Sequence, residues 1–421
     1  MKKRISATVL LFMGCYCTVS LLVKGQPPPA NAIDLTIVGA RIYPSPTQKA
    51  IDNGVVLIRN GRITAVGQRG HVKIPPHSRV LDCTGLTLMS GFWNSHVHFI
   101  EPKWENSSTI PASTLSHQLQ EMLTKYGFST VFDTGSSWLE TTAIRRRIES
   151  GEINGPRIFT VGEILSARGG LTPDFIRRIG FLPNIVIEIG TLEEGAERAR
   201  QQIKKGVDGI KIYAATTVED LVEMPPGVVE AIVREAHQGG KLAFAHPYNA
   251  HGLEASINGG VDVLVHTIPN AGKLSQDQIA RMKRSRISLI PTLKLWKVEA
   301  GRENMSADKA ETFVKAGVDQ LREYSQAGGQ IIFGTDVGYI DYDPTEEYVF
   351  MERAGMNFQQ ILESLTTAPA KRFGLSNRAG RIARGMDADL VVLIRDPAMD
   401  VRAFSSVRYT LRAGKIIYQS N

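Results

Sequence analysis

Apolar residues along this 421-residue chain recur in two textures. Near the start, Asp34-Leu-Thr-Ile-Val and Gly54-Val-Val-Leu-Ile-Arg-Asn-Gly-Arg-Ile-Thr-Ala-Val-Gly read as short strands. Asn60-Gly61 supplies the left-handed backbone of a two-residue hairpin turn inside the second run. The same texture returns at the far end, in Asp389-Leu-Val-Val-Leu-Ile and Val407-Arg-Tyr-Thr-Leu-Arg-Ala-Gly-Lys-Ile-Ile-Tyr. Between these ends lie eight short apolar runs: 87–99, 129–133, 157–162, 208–213, 241–246, 261–266, 287–292 and 330–335. They alternate with stretches such as 192–205 and 308–327 that repeat apolar residues at helical spacing.

Eight alternating strand and helix units predict an α/β fold of the (β/α)8 (TIM) barrel type, spanning about 89–375. The two strand-rich ends, 33–88 and 376–421, are expected to pair into one small β-sandwich domain beside it. No short repeat, low-complexity tract or long linker interrupts this plan.

Hydrophobic content is 43% and charged content 22%, ordinary globular values that exclude disordered, collagen-like and coiled-coil readings. The N-terminus reads as an address. Lys2-Lys3-Arg4 is a basic lead, and the run from Ala7 to Val23 is apolar but too short and poorly flanked for a membrane span. Residues 1–25 are therefore expected to be a signal peptide, with cleavage as late as residue 32, giving an exported (periplasmic or secreted) protein without stable membrane insertion. Gly14-Cys15 offers a lipoprotein site as the minor alternative, with Phe12 an unusual lead-in. The formal net charge of +7 includes Lys2, Lys3, Arg4 and Lys24, so the mature chain carries only +3, too little to suggest a nucleic-acid partner. The run Arg145-Arg146-Arg147 reads as a solvated helix face. With Cys15 and Cys17 lost, Cys83 is left alone as a buried thiol and no intrachain disulfide is available.

The chemistry falls at strand ends on the side where a barrel keeps its active site. His96 and His98 close the first barrel run at i, i+2 spacing, which puts both imidazoles on one face. Lys211 lies within Gly209-Ile-Lys-Ile-Tyr, His246 and His266 end the fifth and sixth runs, and Asp336 follows the eighth in Phe333-Gly-Thr-Asp. Taken singly, each has a plain structural explanation: a hydrogen-bonded core histidine, an ion-paired lysine, a helix cap. Together they put six such groups at the ends of five barrel strands, and imidazole with carboxylate suits zinc or a similar ion.

These segments, with Gly91-Phe-Trp-Asn-Ser-His-Val-His, Thr366-Thr-Ala-Pro-Ala and Gly385-Met-Asp-Ala-Asp-Leu-Val-Val, resemble the metal-dependent amidohydrolase superfamily. The likeness runs over nearly the whole chain from about Asp34 and is nearest to the imidazolonepropionase and Xaa-Pro or Xaa-Arg dipeptidase group. It implies two divalent metal ions: His96, His98 and Asp336 on the first, His246 and His266 on the second, and Lys211 as an N6-carboxylysine bridging both. Asp336 would also be the catalytic proton shuttle. Imidazolonepropionase itself is the poorer match, because a mononuclear enzyme does not need the strand-4 lysine. The chain departs from the family at Ser90 and Asn94, where Pro and Asp are common, and at Leu171, where dipeptidase relatives carry a His that handles the substrate carbonyl. Arg168, Tyr213, Tyr248 and His251 are the candidates for holding substrate.

The expected function is hydrolysis of an amide or dipeptide-like C–N bond of a small molecule by a metal-bridging hydroxide. The alternatives are a deaminase or lactonase on the same barrel, or an exported binding protein with an inherited site. A barrel deaminase uses a Glu soon after strand 5, and none follows His246 closely. A binder needs no proton-shuttling carboxylate, so the retained Asp336 favours an enzyme. A homo-oligomer is left open.

Overall fold

Strands from 35–90 and 390–419 go into one sheet, and the described strands between them go into two others. The computed structural model describes residues 35–76, 78–171, 185–216 and 221–420, so the segment expected to direct export, with Cys15 and Cys17, lies outside the described residues. Strands β1 (Leu35–Ile42), β2 (Ile51–Arg59), β3 (Arg62–Gln68), β4 (Arg79–Asp82) and β5 (Thr87–Ser90) come from the start, with β16 (Leu390–Leu393), β17 (Val407–Arg412) and β18 (Lys415–Gln419) from the end. Their order is β18-β17-β16-β5-β1-β2-β3, with β4 also on β1. Asn60 and Gly61 join β2 to β3 at φ 51° and 73°, the left-handed pair that a tight hairpin requires. Leu35, Ile37, Val56, Leu88, Leu390 and Leu411 pack as the core of this sheet. Cys83 is buried with them, and burial pushes its thiol up to about 12.

The run read as one strand over 87–99 is two. It breaks at Gly91, where β5 pairs antiparallel with β16 and β6 (Phe92–Val97) opens a second sheet. A Cβ at Gly91 would lie 2.2 Å from Ser129 Oγ and 3.1 Å from the backbone of Asp389, so only glycine lets three segments meet there. Gly91 N donates to Asp389 O at 2.8 Å, tying the end sheet to the middle of the chain.

The remaining strands are parallel. β6, β7 (Phe128–Asp133) and β8 (Arg157–Thr160) form a three-stranded sheet. β9 (Ile164–Ala167), β10 (Val186–Ile189), β11 (Gly209–Tyr213), β12 (Leu242–His246), β13 (Val263–Val265), β14 (Ser288–Ile290) and β15 (Gln330–Ile331) form a seven-stranded one, ordered β10-β9-β11-β12-β13-β14-β15. β9 and β10 escaped the sequence reading. Several strands, β11 among them, are buried throughout, as expected where a parallel sheet is covered on both faces. Backbone hydrogen bonds link the sheets at two places: Ser95 N to Phe333 O (2.8 Å) and His98 N to Val337 O (2.8 Å) on one side, Asp208 N to Thr160 O (2.8 Å) on the other. The fold is thus α/β with parallel sheets. Among the described residues no helix is long and apolar enough to cross a membrane.

The helix Leu192–Lys205 spans the stretch its periodicity predicts: Thr191 accepts from Glu194 N at one end and left-handed Gly206 stops it at the other. The arginine run is not simply solvated. Arg145 pairs with Asp208 at 2.7 Å, and Arg147 donates to Ser107 O, Ile110 O and Glu152, leaving Arg146 exposed. Under the strand ends, Phe132 packs on Phe159, Phe244 and Phe373 with ring centroids 5.7, 4.8 and 4.9 Å away. Phe132→Ala is expected to cost about 3–5 kcal/mol in urea unfolding, from lost transfer energy plus the cavity left behind. A cost under about 1 kcal/mol would mean that these rings do not form a tight core.

Candidate active site

The ends of β6, β11, β12 and β13 and the loop after β15 open onto one cavity of about 600 Å³. His96, His98, Lys211, His246, His266 and Asp336 all line it. His96 Nε2 and His98 Nε2 lie 3.0 and 3.1 Å from Asp336 Oδ1 and 3.1 Å from each other. His98 Nδ1 faces Gly135 O at 2.7 Å; a carbonyl only accepts, so Nδ1 holds a proton, and in the neutral ring Nε2 presents an electron pair. His266 is fixed in the same way. Thr292 Oγ1 gives its one proton to Pro291 O (2.8 Å), so it must accept from His266 Nδ1, freeing Nε2.

With both rings neutral, at most one proton, that of His96, separates three electron-pair-bearing atoms crowded within 3.1 Å. His96 Nδ1 and His246 Nε2 are buried without a hydrogen-bond partner. His96, His266 and Asp336 each offer a ligand atom, all within 4.8 Å of one another. Such a set is poorly satisfied by protein alone and fits a cation, so this group could hold a metal ion.

Burial sets the charges. It drives His96 and His246 well below the usual imidazole range and His266 down to about 3, so the rings are neutral, as ligands must be. It also brings the Lys211 ammonium down to about 7, against the opposing pull of Asp336 and Asp133. Burial alone would push the Asp336 carboxyl up, but neighbouring His96, 3.0 Å away, holds it well below the usual carboxylate range.

The supporting shell explains the local chain path. Tyr248, His266, Thr292 and Asp336 have φ of 59°, 72°, 44° and 63°, a cluster of non-glycine left-handed residues of the kind that collects at functional sites. Asn94, where the family commonly has Asp, ties β6 to the Asp336 turn: Nδ2 donates to Thr335 Oγ1 (2.7 Å) and Oδ1 accepts from His96 N and Thr335 N. Fully buried Asp133 accepts from Ser136, Thr141, Thr160 and Gly135 N, and so shapes the turn whose carbonyl holds His98. Glu347, also buried, accepts from Leu293 N (2.9 Å) and Lys294 N (2.8 Å) and anchors the helix Leu293–Arg302 over the cavity.

Of the substrate candidates, Tyr213 and Tyr248 line the cavity, and Tyr248 stacks on His246 with centroids 3.6 Å apart. His251 reaches the rim, exposed, with Nδ1 2.8 Å from Glu223. Arg168 is not among the described lining residues; both oxygens of Glu194 take its guanidinium at 2.7 Å. Sequence reasoning missed Trp296, Glu299 and Tyr339, which line the cavity from a helix and a loop rather than from strand ends. It also missed Asp133, whose only signal was an acid closing an apolar strand.

Comparison with known proteins gives the family. The family model described as "Amidohydrolase family" matches residues 87–417. Ochratoxinase of Aspergillus niger is 22% identical, over 95% of this chain and 92% of its own. Imidazolonepropionase of Thermoplasma acidophilum is also 22% identical, over 88% and 90%. The crystal structure of a Xaa-Pro dipeptidase with bound methionine superposes with a TM-score of 0.78 at 22% identity, covering 92% of this chain and all of that one. The chain belongs to the amidohydrolase family. It is an enzyme, a hydrolase acting on carbon–nitrogen bonds.

Proposed function

We propose that this enzyme hydrolyses the amide bond of a small molecule with the aid of two divalent cations, taken as zinc. His96, His98 and Asp336 would hold the first, His246 and His266 the second, and Lys211, as N6-carboxylysine, would join them. Bound there, the pair would lower the pKa of a shared water from ~15.7 toward neutrality and polarise the scissile carbonyl. The observation that carries the reading is the crowding of His96, His98 and Asp336 with too few protons to satisfy them.

The protein's own groups then have distinct tasks. The neutral Lys211 amine forms an N–C bond to carbon dioxide and gives up a proton, becoming an anion with two oxygens. Asp336 takes the proton of the attacking water and returns it to the departing nitrogen, since an amide leaves poorly as an anion. Tyr213 and Tyr248 flank the substrate.

In the same reading, the two parallel sheets close into one (β/α)8 barrel over about 89–375, and 33–88 with 376–421 form the composite β-sandwich domain. The links between β6 and the 333–337 segment and between β8 and β11 support the closure. Residues 1–25 would direct export and be removed, a reading that rests on the N-terminal sequence alone.

The test is elemental analysis of the purified protein, with a hydrolysis screen of N-acyl amino acids, dipeptides and aryl amides on zinc-loaded enzyme. Close to two metal ions per chain and turnover of at least one amide are expected. A protein that takes up no metal would overturn the ligand assignment.

A further inference from the structure

The walls of the cavity are aromatic, and among its described lining residues the carboxylates outnumber the one lysine. Tyr213 lies edge-on to His246 and Tyr248 (centroids 5.3 and 5.6 Å), and His246 adjoins His266 at 4.2 Å. Trp296 continues the wall, edge-on to His266 (6.0 Å) and Phe313 (5.7 Å). Its ring is pinned by Nε1 donating to Thr267 Oγ1 at 2.9 Å. The wall runs along the two histidines assigned above to the second cation, where the scissile group must lie.

Glu299 and Glu303 join Asp336 in the lining, whereas Lys211 is its only lysine and it has no arginine among the described residues. The cations near the mouth are engaged. Arg302 donates to Glu299 (2.7 Å) and to Tyr339 O (3.0 Å), His251 faces Glu223, and Arg168 is held by Glu194. Away from the cations and Lys211, a carboxylate carried on a ring seated against this wall would lose water and find no lysine or arginine among the described lining residues to replace it. A flat neutral ring would lose little water and gain stacking partners.

We propose, resting on the hydrolase reading above, that the cavity selects amides bearing an uncharged aromatic group and rejects those carrying a carboxylate on that group. This separates the enzyme from dipeptidases, whose substrates present a free C-terminal carboxylate.

The test compares propionanilide with 4-propionamidobenzoate, which differ only by the carboxylate. Binding is measured by calorimetry on the full-length, metal-free protein, and kcat/KM on the zinc-loaded enzyme. The neutral amide is expected to bind at least about tenfold more tightly. Trp296→Ala should weaken its binding about tenfold and Trp296→Phe much less. Glu299→Gln, which removes an acid and releases Arg302, should narrow the gap between the two amides. Equal or tighter binding of the carboxylate by the unaltered protein would overturn the proposal. Selective binding of propionanilide without turnover of any amide would support the selectivity and count against the hydrolytic reading.

Discussion

Lys211→Ala is expected to strip the enzyme of most of its bound metal and to lower activity by more than about 10²-fold. The reasoning starts from burial. The side chain is 1% exposed between Ile210 and Ile212, and no carboxylate among the described residues lies within 4.0 Å to hold an ammonium there. A charged lysine in that position is costly, and the shift of its pKa to about 7 reports this cost. Conversion to a carbamate replaces the unfavourable cation with an anion that two metal ions can share. Losing even a supporting partner of a metal ligand typically costs 10–100-fold in affinity or activity, so losing the shared ligand should cost more. Formate, acetate or propionate should restore part of the metal content and activity to the alanine variant, because each brings the missing carboxylate into the space vacated. Elemental analysis and turnover with and without added carboxylate are the measurements. A variant that keeps two metals and normal turnover would remove Lys211 from the site.

Asp336→Asn separates a ligand from a base. Asparagine keeps one oxygen for a cation but cannot take up a proton at neutral pH. If Asp336 is the shuttle, metal content should stay near normal while kcat falls by ~10²–10⁴. A role as ligand alone predicts the opposite pattern, in which activity follows metal content. Folding should survive, since the left-handed backbone at φ 63° suits asparagine at least as well as aspartate. An asparagine variant that holds both metals and hydrolyses at the unaltered rate would exclude Asp336 as the proton carrier.

What could be read in the chain, and what could not, divides along a physical line. The helix Leu192–Lys205 and the Asn60-Gly61 turn follow from local rules of periodicity, capping and turn chemistry. The meeting of six chemically active groups around one cavity was also legible, because each stands within an apolar strand or in the turn that follows one. The break at Gly91 was hidden, since it is imposed by Ser129 and Asp389, which are distant in sequence. The pairing of Arg168 was hidden for a related reason: it stands near a strand end, but its partner Glu194 lies 26 residues further on. Trp296 and Tyr339 carry no strand-end signal at all. They reach the cavity only because buried Glu347 sets the angle of one helix and the Asp336 turn directs the following loop.

The sheet shared by the two chain ends constrains the order of events during synthesis. β5 pairs with β16 through Ser90 and Leu390, residues made at opposite ends of translation. When β1 to β5 leave the ribosome, Leu88 and Met89 lack the neighbour that will cover that edge, and Leu35 and Ile37 lack much of their core. The middle strands emerge next, while this apolar edge remains open to other chains. Only the last thirty or so residues can close it. A ribosome that stalls before Leu390 therefore leaves behind a chain with every metal-ligand candidate in place and a sticky, unfinished sheet at its beginning.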